Sequence, residues 1–190
     1  MVLFYFVLSC IIELMLSYME EFMKYYVVNE TGEVTYDTLM EKARAILIDS
    51  NQYIYICNME GSYLLPGGTV EENEIPFDTV KRELQEELGL CDISLQEFAC
   101  VSYYHENFPK YKKEGFEKRL NRVTYYVGQL TSDVLIKSNL TDYEIQHKFK
   151  IEKYTLDELL MLVNKATDNP WSSFANLELK YILNLFQSYQ

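Results

Sequence analysis

Gly68-Thr-Val-Glu-Glu-Asn-Glu74 opens the stretch that decides the fold, and Arg82-Glu83-Leu84-Gln85-Glu86-Glu87-Leu88-Gly89-Leu90 closes it. Between them Pro76 stands where a helix begins, since its fixed φ suits the first helical position and its missing N–H is not needed there. Phe77, Val80, Leu84 and Leu88 follow at helical spacing and predict an apolar face, and Gly89 supplies the stop. A helix is therefore predicted over 76–88. Just ahead of it, Pro66-Gly67-Gly68 is a break at which backbone can approach another group closely.

Glu83 lies three residues before Glu86 and four before Glu87, so all three carboxylates project to one side of that helix. Like charges at this spacing cost a few tenths of a kcal/mol per pair. They also sit near the C-terminal end, where the helix dipole disfavours anions. A divalent cation relieves both penalties, and hard oxygen donors suit Mg²⁺, with Mn²⁺ as a substitute, in sites that share the metal with substrate phosphates. Arg82, beside Glu83 and one turn before Glu86, can hold the carboxylates in place. Glu74 can pair with an arginine or sit at the favourable end of the dipole. Taken alone, the three glutamates also fit the solvated outer face of any amphipathic helix.

Working outward, Ala43 to Asp49 and Tyr53 to Asn58 read as paired strands around a Ser50-Asn51 turn, and Gly61 ends that hairpin. Beyond the helix, Ile93 to His105, Leu120 to Leu130 and Lys148 to Tyr154 have strand character, with a polar segment from Glu106 to Lys118. Leu156, Leu159, Leu160 and Val163 mark one further helix. Phe174, Leu177, Tyr181, Ile182 and Leu185 mark the inward face of a last one, over 174–188, after the Asn169-Pro170 break. The expectation is an α+β chain with one domain over 36–190 and an N-terminal extension of uncertain status over 1–35. Val2–Leu8 and Ile11–Leu16 are apolar, but no Lys or Arg precedes Lys24 and Glu13 interrupts the run. Packed helix, membrane segment and translation start at Met19 or Met23 all remain open, with no membrane association expected.

A net charge of -12 repels a phosphate backbone, so polymeric nucleic acid is not expected as a partner. Cys10, Cys57, Cys91 and Cys100 lack zinc-site spacing and read as reduced thiols of a cytoplasmic protein. Lys112 and Arg119, within a basic stretch, are candidate phosphate contacts, and Tyr103 and Tyr104 are candidates for stacking on a base. A solvated loop and core packing are the plain alternatives for these two groups.

From Gly68 to Leu90 the pattern, glycine, five residues, glutamate, seven residues, then Arg-Glu-Leu-x-Glu-Glu-x-Gly-Leu, matches without a mismatch the signature of the Nudix hydrolases, which this chain resembles. The resemblance implies an α/β/α sandwich around a mixed sheet. It makes Glu83, Glu86 and Glu87 metal ligands, with the Gly67 carbonyl as another. It also makes Arg82 and Glu74 orienting residues and has Gly68 and Gly89 shape the backbone. The implied reaction is attack of a metal-activated water on a diphosphate. Glu83, or Glu144 from outside the motif, would take the proton. Where relatives that cleave ADP-ribose carry a proline, this chain has His105, which favours a nucleoside triphosphate or modified nucleotide as the small-molecule substrate of a monomer or homodimer. ADP-ribose or nucleotide-sugar cleavage, a non-catalytic nucleotide-binding regulator and RNA cap removal are the alternatives.

Overall fold

The computed structural model describes residues 24–28, 34–106, 115, 117–130, 146–167 and 174–190. Its elements are β1 (Lys24–Val28), β2 (Thr38–Ile48), β3 (Ile54–Met59), β4 (Ser62–Leu64), β5 (Gly67–Thr69), α1 (Pro76–Leu88), β6 (Leu95–Glu106), β7 (Lys118–Gln129), β8 (Lys150–Tyr154), α2 (Leu156–Thr167) and α3 (Phe174–Gln187). The strands form a mixed sheet ordered β1-β6-β7-β2-β3-β4, with β5 added on β2 and β8 on β3.

Two compact units divide the described residues, with β2, β6 and β7 each contributing to both. The first takes residues up to Met40 and Val101 to Arg122. In it β1, from the stretch expected to be an extension, lies antiparallel to the end of β6, with Val27 opposite Tyr103. Asp37 and Lys118 exchange bonds: the Asp37 N–H reaches the Lys118 carbonyl, and the Lys118 N–H reaches Asp37 Oδ2, both at 2.8 Å.

The second unit takes Glu41 to Cys100 and everything from Val123 onward. β2 is its central strand, buried along Ala43–Leu47 on both faces. Ala43, Ala45 and Leu47 alternate onto one face, where Val80, Leu84 and Leu88 of α1 cover them together with Tyr55, Tyr126 and Leu130. Burying each of those α1 side chains is worth roughly 1.5–3 kcal/mol. On the other face Arg44 meets Ala175, Glu178, Leu179 and Ile182 of α3. Helices thus flank both sides of the sheet, the layering the family resemblance implied.

Local chemistry sets the connections. Asp49, buried at the end of β2, accepts the N–H groups of Asn51 and Tyr53 on Oδ1 at 2.9 and 3.0 Å, closing the expected turn into β3. A reciprocal cap starts α2: the Thr155 N–H reaches Glu158 Oε2 at 2.9 Å and the Glu158 N–H reaches Thr155 Oγ1 at 3.4 Å.

Two inward faces differ from expectation. Phe77 is 37% exposed and packs edge-on against Tyr126, with Lys81 over its ring; Thr79 takes its place among the buried residues of α1. On α3 the buried set is Phe174, Asn176, Glu178, Leu179, Ile182, Leu183 and Phe186, so Leu177, Tyr181 and Leu185 lie only at its margin. An apolar count cannot find that face, because two of its members are polar. Among the described residues Cys57, Cys91 and Cys100 form no disulfide, and no helix is long and apolar enough to cross a membrane. Cys10 and the apolar run before Lys24 lie outside the described residues.

Candidate active site

The site is assembled from one helix and the turn before it, all within the second unit. α1 starts on Ile75, whose extended backbone precedes Pro76, and stops at Gly89, held at φ 70°. There the chain turns back so that the Gly89 N–H reaches Gln85 and the Leu90 N–H reaches Leu84. Both ends being fixed, the rotation of the helix is set by the buried Thr79, Val80, Leu84 and Leu88, and the glutamates face the turn at 67–69.

Arg82 organises that face. Its Nε donates to Glu74 Oε1 at 2.8 Å and its Nη2 to Glu74 Oε2 at 3.1 Å, a bidentate pair. Nη1 donates to Glu83 Oε1 at 2.9 Å and to Glu86 Oε2 at 3.5 Å, and Nη2 reaches the Thr69 carbonyl at 3.4 Å. Five acceptors therefore meet the five N–H donors of the guanidinium. Thr79 Oγ1 adds a bond to Glu74 at 2.7 Å, and the Glu71 N–H another at 3.2 Å. Hydrogen bonds from Arg82 and then Thr79 hold the Glu74 carboxyl down at about 2. The same pairing with Glu74 pushes Arg82 further up.

Glu83 behaves oppositely. Burial raises its carboxyl above the ordinary value, and Arg82 offsets only part of that. Its carboxylate lies directly over Gly68, where a Cβ would overlap Glu83 Oε1. Glu87 is fixed from the turn: its Oε2 accepts the Gly67 N–H at 2.9 Å. Gly67 is at φ 132°, and a Cβ there would overlap the Ala43 carbonyl. Glycine at 67 and 68 is required for the turn to lie this close to both a strand and two carboxylates. Glu86 is the outermost of the three, its side chain 55% exposed.

As they stand, no three acidic, histidine or cysteine side chains among the described residues converge on one point as a metal group. Arg82 Nη1 occupies the space between Glu83 and Glu86 and supplies the positive charge these anions need. The donor chemistry nevertheless fits a hard divalent cation: three carboxylates within two turns of helix, two of them half-buried, beside the backbone of Gly67 and Gly68.

The expected site residues fall into three groups. Gly67, Gly68, Glu74, Arg82, Glu83, Glu86 and Glu87 come together as described, with Gly89 closing the helix. Tyr103, Tyr104 and Arg119 belong to the first unit and are buried there; Tyr104 donates to Glu106 at 3.2 Å and Arg119 Nε to Asn121 at 3.1 Å. Lys112 and Glu144 lie outside the described residues. Thr79 and Arg44 were missed. The signal for Thr79 is a hydroxyl on the apolar face of α1, and for Arg44 a cation inside the apolar run of β2.

Comparison with known proteins places the chain by family and fold. A model of the NUDIX domain matches residues 39–173. An 8-oxo-dGTP diphosphatase of Buchnera aphidicola subsp. Schizaphis graminum is 34% identical over 71 residues, 35% of this chain and 55% of that protein. The chain thus spans about half the length of the curated relative it matches. Among solved structures, the dihydroneopterin triphosphate pyrophosphohydrolase of E. coli superposes with a TM-score of 0.52 at 13% identity, over 77% of this chain and 93% of the other. The MutT protein of Bacillus halodurans does so with a TM-score of 0.50 at 20% identity, over 76% and 82%. At those identities the two structures share the fold with this chain.

Proposed function

The chain belongs to the NUDIX family, and on that premise we propose that it is a divalent-metal-dependent pyrophosphohydrolase acting on a nucleoside triphosphate or a modified form of one. The observation that carries this reading is the pairing of Glu83, Glu86 and Glu87 with a single arginine and the glycine turn. An amphipathic helix has no need to hold three anions in register against a backbone stripped of side chains. A regulator that only bound nucleotide would have no use for the complete set.

In this reading Glu83, Glu86, Glu87 and the Gly67 carbonyl hold Mg²⁺, or Mn²⁺ in its place. When bound, the cation supplies Lewis-acid polarisation of phosphoryl oxygens and makes water a better nucleophile. Arg82 and Glu74 form the rigid pair that aims Glu83 and Glu86. The Gly67 N–H aims Glu87. Glu83 is proposed to accept the proton of the attacking water on a carboxylate oxygen. Glu144 is the second candidate for that proton. Lys112 is proposed to contact the phosphates of the nucleotide.

The preference for a triphosphate is supported by His105 at the position where a proline is expected for ADP-ribose cleavage, and by a relative named for an oxidised nucleoside triphosphate. The acidic chain is read as a cytoplasmic monomer or homodimer. The test is phosphate and pyrophosphate release from nucleoside triphosphates, oxidised nucleotides, ADP-ribose, nucleotide sugars and dinucleoside polyphosphates, with Mg²⁺ and then with EDTA. Metal-dependent cleavage of the triphosphates is the expected result. Glu87→Gln should lower it at least about a hundredfold with an unchanged melting temperature, because an amide is a poor ligand for a hard cation. Wild-type rates in that variant would sink the assigned site, and binding without turnover across the panel would leave a regulator.

A further inference from the structure

Arg44 is 7% exposed, on the face of β2 turned away from α1. A buried guanidinium is expensive, and an apolar side chain of similar volume commonly serves a core as well or better. Its hydrogen bonds show what the cation does there. Nη1 donates to the Leu65 carbonyl at 2.7 Å and to the Gly67 carbonyl at 3.2 Å. These two carbonyls bracket Pro66, so one guanidinium nitrogen pins both sides of the turn that leads into the site. The backbone adds a third tie, from the Ala45 N–H to the Pro66 carbonyl at 2.9 Å.

Gly67 is then held from two directions. Its carbonyl accepts Arg44 across the sheet, and its N–H donates to Glu87 on the α1 side. A carbonyl oxygen has two lone pairs, so a bond from Arg44 leaves it able to face a cation as well. Arg44 also lines a cavity of about 10 Å³ with Tyr125, Glu178, Leu179 and Ile182. That is room for about one water. Arg44 Nε has no hydrogen-bond partner among the described residues, and a water there would satisfy it. Glu178, buried in the same wall, pairs with Lys42 at 3.9 Å.

We infer that Arg44 is a positioning residue for the candidate active site: it locks the 65–67 turn from the far side of the sheet, and through Gly67 sets the place of the Glu87 carboxylate. This rests on the reading that Glu83, Glu86 and Glu87 take a divalent cation. Mn²⁺ binding to the full chain, followed by electron paramagnetic resonance, tests that reading first. No binding by the wild type, or equal binding by Glu87→Gln, would overturn the metal site itself, whatever Arg44 does.

With that established, Arg44→Lys keeps the charge but loses the planar fork. The expected result is Mn²⁺ affinity and kcat both about 10–100-fold lower, the range found when a residue supporting a metal ligand is lost, with KM for nucleotide within about twofold. Asn176→Ala serves as the control for stability alone: it should melt earlier and bind Mn²⁺ as the wild type does. Wild-type affinity and kcat in a folded Arg44→Lys, or a loss matched by Asn176→Ala, would overturn the inference. If Arg44→Lys does not fold, the wild type decides by NMR. The Gly67 amide and the Arg44 guanidinium protons should shift together on saturation with Mg²⁺, and a Gly67 amide that shifts while Arg44 stays unmoved would overturn it.

Discussion

α1 and α3 are helices of 13 and 14 residues in the same compact unit, and each carries polar groups a core would not ask for. In α1 those groups gather on the outward side, where Arg82 holds Glu74, Glu83 and Glu86. In α3 they are buried. Asn176 accepts the Tyr63 N–H on Oδ1 at 2.8 Å and donates from Nδ2 to the Gly61 carbonyl at 3.2 Å, tying down the β3–β4 hairpin, and Glu178 pairs with Lys42. The polar groups of α3 complete bonds the fold needs. Those of α1 are like charges gathered round one arginine, a cost that the proposed cation would offset further. On the proposed function, the contrast separates residues kept for structure from residues kept for chemistry.

The strongest attempt to break that division is Arg82→Lys. It retains one positive charge and loses the bidentate grip on Glu74, so kcat/KM should fall about 10–100-fold, while thermal denaturation shifts little. A variant with full activity would mean that the network on α1 is surface decoration. Asn176→Ala is the mirror experiment. Leaving the Tyr63 N–H and the Gly61 carbonyl without their partner should cost about 1–3 kcal/mol in chemical denaturation, with turnover per folded molecule unchanged.

A smaller effect comes from acid. Arg82 and Thr79 hold the Glu74 carboxyl down at about 2 in the fold, below the ordinary 4.5, so its contribution is fully present above pH 4.5 and is lost as pH falls through about 2. The melting temperature should drop across that window, and Glu74→Gln should flatten the drop. The least effect on stability is expected for Glu86→Gln in the absence of metal. Removing one exposed like charge should raise stability by a few tenths of a kcal/mol while activity is lost. If stability fell instead, Glu86 would belong with the structural residues.

α1 was legible in the sequence because every level agreed: Pro76, apolar spacing, Gly89 and the glutamate pattern each point to the same bounds. The pairing of Arg82 with Glu74 could be anticipated from charge and separation. β5 could not, since Gly-Gly reads as a turn and it forms three register positions with Lys42, Ala43 and Arg44 only because the strand beside it needs a partner. Lys24–Val28 was hidden in the same way, its strand being defined by what it pairs with in β6. The buried side of α3 was misplaced by periodicity because long-range bonds, not hydropathy, decide which way Asn176 and Glu178 turn. Arg44 was passed over for a related reason: a cation in a strand acquires meaning only when the turn at 65–67 is folded against it.

The two bonds of Asn176 span 113 and 115 residues of chain. During synthesis the hairpin before the turn at 65–67 is therefore made early and secured late, after the segment holding Asn176 has left the ribosome. Until then Tyr63 and Gly61 keep their backbone groups in water, and the turn at 65–67 lacks the wall against which Arg44 packs. Contacts of this span close slowly. The order of synthesis therefore leaves a long interval in which the β3–β4 hairpin has been made but is not yet secured by α3.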